Sequence, residues 1–139
     1  MDLRYVHTIC PYCGAGCGLY LKVKNGELIG ALPSKTGCVS QGRICVKGLN
    51  CWEIVAHKDR LKKPLIKKNG RFTEATWDEA LDFTAQRLSE IKDSYGSDSL
   101  GVWGSARCTN EFNYLAQKFA RAVLGTNNVD HCDRTCHSP

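Results

Sequence analysis

The pattern of apolar and polar positions changes character near His57. Before it, Gly18-Leu19-Tyr20-Leu21-Lys22-Val23-Lys24 alternates with a period of two. Asn25-Gly26 then supplies a tight turn into Glu27-Leu28-Ile29-Gly30-Ala31-Leu32, which predicts a β-hairpin. Beyond residue 57 the period lengthens. Thr76-Trp77-Asp78-Glu79 has the form of a capping box, in which hydroxyl and carboxylate each satisfy an orphan amide, and it predicts a helix running to about Asp93. Trp77, Ala80, Leu81, Thr84, Leu88 and Ile91 share one face of that helix, the stripe of a core-packed surface. Ser99-Leu100-Gly101-Val102-Trp103 reads as a short buried strand. A second helix follows from about Asn110 to Leu124, with Phe112, Leu115, Ala116, Phe119, Ala120 and Val123 on one face and Gly125 as its stop. Asn127-Asn128-Val129-Asp130 supplies a further strand, and strand, helix, strand at this spacing predicts a βαβ unit with a right-handed crossover and parallel pairing.

Composition narrows the use of this framework. The 139 residues suffice for one modest domain or for a small module plus part of another, which points to part of a larger enzyme. The net charge of +5 is spread along the chain, and aromatics are not interleaved with arginines, so no nucleic-acid partner is expected. No apolar run has the length of a signal peptide or a membrane span, and a soluble cytoplasmic chain is expected. Nine cysteines are then informative, because cytoplasmic thiols stay reduced and metal binding is their natural use.

The cysteines form two constellations. Cys10, Cys13 and Cys17 make a C-x2-C-x3-C loop with Gly14, Gly16 and Gly18 between and beside them. A fourth sulfur must come from elsewhere. Cys38, Cys45 and Cys51 are the candidates, and Cys45 is favoured by its setting in Gly42-Arg43-Ile44-Cys45-Val46-Lys47-Gly48. Three ligands in one loop and one at a distance suit an iron–sulfur cubane better than a zinc ion, which usually takes two from each of two knuckles. The second constellation closes the chain: His131, Cys132, Cys136 and His137 follow the carboxyl end of the last strand, where ligands of α/β sheets gather. A cysteine beside a histidine suits a soft metal or a nucleophile, while a zinc site or unconnected thiols fit the spacing equally well.

Taken together, the motifs resemble the prokaryotic molybdopterin oxidoreductases and, within them, the catalytic subunits of formate dehydrogenases. The resemblance is carried by Cys10-Pro11-Tyr12-Cys13-Gly14-Ala15-Gly16-Cys17, Cys45-Val46-Lys47-Gly48, Thr76-Trp77-Asp78-Glu79-Ala80-Leu81, Gln117-Lys118-Phe119-Ala120-Arg121-Ala122, and Gly125-Thr126-Asn127-Asn128-Val129-Asp130 leading to Cys136-His137. It implies a mixed α/β architecture: a small β-containing 4Fe-4S domain over residues 1–57, then over 58–139 the first part of an αβα pterin-binding domain with a βαβ unit. It implies that Cys10, Cys13, Cys17 and Cys45 hold a 4Fe-4S cluster and that Lys47 lies between cluster and pterin. It further implies that Cys136 ligates the molybdenum or tungsten of a bis(molybdopterin guanine dinucleotide) cofactor and that His137 handles protons there. Arg107 resembles an arginine near the pterin in relatives, in a loop, Ser105–Cys108, that departs in length. The implied reaction is formate to carbon dioxide or its reverse, with electrons leaving singly through the cluster to an iron–sulfur or flavin subunit. The Cys-His dipeptide favours formate over the nitrate of periplasmic-type nitrate reductases. A cluster-only electron-transfer module is the alternative from another class, because the family's subunit is several times longer and these residues alone are not expected to turn over formate.

Overall fold

The structure is a computed structural model that describes Asp2 to Cys136, with side chains as far as Arg134. The chain divides into two compact units, one gathering the residues up to Arg60 with Gly104–Leu115 and the segment from His131, the other Leu61–Trp103 with Ala116–Asp130.

The first unit is built on a three-stranded antiparallel sheet in the order β1 (Leu3–Ile9), β2 (Gly18–Lys24), β3 (Glu27–Pro33). The predicted hairpin is β2–β3. Its turn residues Asn25 and Gly26 have φ of 50° and 85°, the doubly left-handed geometry that matches strand twist in a two-residue loop. β1 was not expected from the pattern, since all but one of its residues are exposed and no apolar alternation marks it. Pairing of Ile9 with Gly18 brings the two ends of the cysteine loop together. The Cys10 amide then donates to the Cys17 carbonyl at 2.9 Å and closes the loop. Two short helices follow, α1 (Val46–Leu49) and α2 (Cys51–Ala56), and both pack on β3. Cys10, Leu19 and Cys51 form the buried centre, with Tyr12, Cys17, Leu21, Ala31 and Ile44 packed around it.

The second unit opens with the hairpin β4 (Leu65–Lys68) and β5 (Arg71–Glu74), turned at Asn69-Gly70 with the same pair of positive φ angles. α3 (Trp77–Tyr95) begins with the expected capping box: the Thr76 hydroxyl accepts from the Glu79 amide at 3.2 Å, and the Glu79 carboxylate accepts from the Thr76 amide at 2.8 Å. A 3-10 turn at Ser97–Ser99 leads to β6 (Val102–Gly104), and α4 (Asn110–Phe119) continues as a π-helical segment over Ala120–Leu124. Gly125, at φ 79°, ends it in the left-handed conformation expected of a helix stop. β7 (Val129–His131) pairs with β6, and α5 (Asp133–Cys136) follows.

Two expectations are corrected. The strand expected at Ser99–Trp103 forms later and is not buried: Trp103 is 68% exposed. The predicted helix stripes are likewise mostly open, with Trp77 68% and Leu81 60% exposed and only Ala120 of the second stripe fully buried. An apolar stripe is buried only where a facing layer exists. Here the available sheets are two-stranded, and what burial there is concentrates on Ile66, Leu100, Ala120, Leu124 and Thr126.

Candidate metal centre

The cysteine loop, closed by the Cys10 amide, presents Cys10 buried and Cys13 and Cys17 half-buried. Cys45 comes to the same place at the start of α1. Burial pushes the Cys10 thiol above its ordinary value; the Tyr12 amide opposes this, and negative charge on Cys13, Cys17 and Cys45 raises it further. Cys13, Cys17 and Cys45 therefore all lie near enough to Cys10 for their charge to act on it, as Cys10 acts on Cys51. Cys45 shifts in the opposite direction: the Gly48 and Lys47 amides donate to its sulfur and hold it below the ordinary thiol value, with the Lys47 ammonium adding to the effect. One side of the group, at Cys10, is therefore buried, and the other, at Cys45, faces solvent.

Gly48 shows why the Cys45-Val46-Lys47-Gly48 element carries a glycine. A Cβ there would lie 2.5 Å from Ile44 Cδ1 and 3.2 Å from Cys10 Sγ, so α1 approaches the loop more closely than a side chain permits. Of the three candidates for the fourth sulfur, Cys38 is exposed and Cys45 belongs to the group. Cys51 is buried against Cys10, and its thiol is raised by that burial and by the Cys10 charge. Cys51 was among the candidates by sequence, but nothing in its spacing signalled that it would be buried against Cys10.

Of the strand-end constellation, His131 and Cys132 lie in the same compact unit. Cys132 Sγ accepts from the Ala106 amide at 3.3 Å, and the Ser105 hydroxyl is 3.9 Å from it. His131, Cys132 and Asp133 hold one nitrogen, one sulfur and one oxygen within 4.8 Å of one another. Cys136 closes α5, but its side chain and the whole of His137 lie outside the described residues. Arg107 is exposed in the loop between β6 and α4, where its amide donates to Ser105 Oγ at 3.0 Å. Lys47 is exposed on α1 beside Cys45.

A closed loop carrying three cysteines, with Cys45 near Cys10 and a glycine at the approach of α1, is the ligand pattern that suits an iron–sulfur cubane. The match to known families agrees. Residues 3–57 match the molybdopterin oxidoreductase Fe4S4 domain and residues 60–139 match the molybdopterin oxidoreductase family proper, so the chain belongs to the molybdopterin oxidoreductases. Within that class its relatives are formate dehydrogenase alpha subunits. It is 54% identical over 138 residues to F420-dependent formate dehydrogenase 1 subunit alpha of Methanococcus maripaludis, covering 99% of this chain and 20% of that one. It is 51% identical, with the same coverage, to F420-dependent formate dehydrogenase subunit alpha of Methanocaldococcus jannaschii. Among solved structures, acetylene hydratase from Pelobacter acetylenicus superposes with a TM-score of 0.67 at 28% identity, over 94% of this chain and 19% of that one. The chain thus spans about one fifth of the length of these relatives.

Proposed function

We propose that this chain is the iron–sulfur end of a formate dehydrogenase catalytic subunit, in which Cys10, Cys13, Cys17 and Cys45 hold a 4Fe-4S cluster. The observation that carries the reading is the closed Cys10–Cys17 loop with α1, which begins after Cys45, drawn onto it at Gly48, where a Cβ would lie 3.2 Å from Cys10 Sγ. A cluster held there supplies one-electron storage and transfer. The chain's own residues do the rest. Burial around Cys10 and Leu19 keeps water from one face, while the Lys47 and Gly48 amides neutralise charge on the Cys45 sulfur. The Lys47 ammonium, beside Cys45, would favour the more negative, reduced state of the cluster, and the family resemblance assigns it a place between cluster and pterin.

Cys136 is assigned as the ligand of molybdenum or tungsten in the bis(molybdopterin guanine dinucleotide) cofactor, His137 as the proton-handling neighbour and Arg107 as a pterin contact. These assignments rest on the family match and on the position of the segment after β7. The substrate is formate or carbon dioxide. The names of the relatives point to F420 as the distal acceptor, reached through an iron–sulfur or flavin subunit. The reading includes a cytoplasmic location; among the described residues no helix is long and apolar enough to cross a membrane. The test is turnover by the complete protein containing this chain, purified without oxygen. Formate-dependent reduction of F420 or of a viologen dye is expected; reduction of nitrate with no response to formate overturns the reading.

A further inference from the structure

The cysteine loop and the strand-end segment, more than a hundred residues apart in sequence, are joined in one compact unit by the first turn of α4. Asn110 Nδ2 donates to the Gly14 carbonyl at 2.9 Å, between Cys13 and Cys17. The fit is close from the other side as well, because a Cβ on Gly14 would lie 2.4 Å from Asn110 Oδ1. One turn further on, Asn113 brackets Ser105: its Nδ2 donates to the Ser105 carbonyl at 2.9 Å and its Oδ1 accepts from the Ser105 amide at 3.2 Å. Cys108 Sγ donates to the same two oxygens, Ser105 O at 3.0 Å and Asn113 Oδ1 at 3.3 Å. The loop so fixed reaches Cys132, through the Ala106 amide at 3.3 Å and the Ser105 hydroxyl at 3.9 Å. Cys132 begins the turn into α5, which ends at Cys136.

Residues three apart on a helix lie on one face, so Asn110 and Asn113 are two grips of one rigid element. Thr109 anchors that element, its hydroxyl accepting from the Phe112 amide at 3.3 Å. A surface helix needs no asparagine at either position, and neither residue is a favoured helix former. Their cost is offset by what they hold.

We propose that Asn110 and Asn113 are positioning residues which fix the iron–sulfur loop against the segment ending in Cys136, and so set the path of electrons from the metal centre to the cluster. The inference rests on the function proposed above, in which Cys136 ligates the metal. The step concerned is transfer of one electron at a time from the formate-reduced metal centre to the oxidised cluster, with no bond made or broken at the asparagines. The rate of such a step depends on how far apart donor and acceptor are held, so loosening either grip slows it.

The experiment uses the complete, cofactor-loaded enzyme as wild type, Asn110→Asp, Asn113→Ala, Gly14→Ala and Gly14→Ala/Asn110→Ala. Asn110→Asp keeps the volume but sets an acceptor against the Gly14 carbonyl. The readouts are iron and molybdenum or tungsten content, stopped-flow rates of metal-centre and cluster reduction by formate, and the magnetic splitting between half-reduced metal and reduced cluster. Expected are normal metal contents and metal-centre reduction, cluster reduction slower than wild type in Asn110→Asp and Asn113→Ala, and an altered splitting in both. The Gly14→Ala defect is expected to lessen when Asn110→Ala removes the clash, as contacting residues require. Asn113→Ala does not touch the cluster loop, so it tests the coupling even if Asn110→Asp loses iron. Cluster reduction and splitting at wild-type values in a loaded Asn113→Ala enzyme overturn the proposal. A wild-type protein without cluster or without molybdenum or tungsten instead overturns the function on which it rests.

Discussion

Replacing Gly48 with alanine is expected to weaken retention of the cluster in an otherwise folded protein. The added methyl would stand 2.5 Å from Ile44 Cδ1, 2.6 Å from Ile44 Cγ1 and 3.2 Å from Cys10 Sγ. The first two contacts are well inside van der Waals distance, so Ile44 or α1 must move. Overpacking of this kind costs about 1–3 kcal/mol. Alanine in place of glycine within a helix returns about 0.5–1 kcal/mol. A net loss of up to about 2.5 kcal/mol follows, and at 1.4 kcal/mol per tenfold it weakens cluster retention by up to about sixtyfold. Because α1 carries the amides that face Cys45, the displacement falls on the ligand group rather than on the sheet. The assay is iron and inorganic sulfide per chain in the complete protein, set beside its thermal transition. Gly30→Ala is the control, since a Cβ there meets only Lys22 Cδ at 3.5 Å, an ordinary contact. With Ile44→Ala already in place, the further loss caused by Gly48→Ala should shrink. A Gly48→Ala protein with full iron and sulfide would refute the reasoning.

In the cluster-free protein, Cys45 should be alkylated ahead of Cys10 and Cys51, because the reactive species is the thiolate and only Cys45 has its thiol lowered. Its lead over Cys10 should grow as the pH falls from about 9 to about 7; mass spectrometry of labelled peptides measures this, and equal rates would count against the geometry. Thr76→Ala should destabilise the protein by about 1 kcal/mol through loss of the α3 cap, as read from denaturant unfolding. Glu79, held below its ordinary value by the Thr76 amide first, contributes stability that is present above the unfolded pKa and lost as the pH falls through the folded one. The stability gap between wild type and Glu79→Gln should therefore close on acidification below the usual carboxylate range, and a gap independent of pH would contradict the assignment. Lys47→Gln should move the cluster potential to more negative values, since a cation favouring the reduced form is lost; an unchanged potential in spectroelectrochemical titration would remove Lys47 from that role.

Where local chemistry decides structure, the sequence was readable. Asn25-Gly26 and the Thr76–Glu79 box each carry their own instructions, and both formed as expected. The Asn69-Gly70 turn carried the same signal as Asn25-Gly26 but was passed over, because its flanking strands are short and lack alternation. Burial was less legible. The Trp77 and Phe112 stripes have helical period, yet period shows only that a face is apolar, not that a partner layer is at hand. At the candidate metal centre, spacing singled out Cys10, Cys13 and Cys17, while Cys45 was preferred to Cys38 and Cys51 for its Cys45-Val46-Lys47-Gly48 setting, and the folding of α1 and α2 over β3 that brings Cys51 against Cys10 had no sequence signal. The Asn110 contact with Gly14 had no sequence signal at all, being a pairing of residues 96 apart.

The most direct test of the four-cysteine centre is iron and sulfide analysis of the complete protein, purified without oxygen, as wild type and as single Cys→Ser variants at 10, 13, 17, 38 and 45. The account predicts about four irons per chain in wild type, kept in Cys38→Ser and lost in each of the other four. Full iron in Cys45→Ser, or zinc in place of iron in wild type, would contradict it.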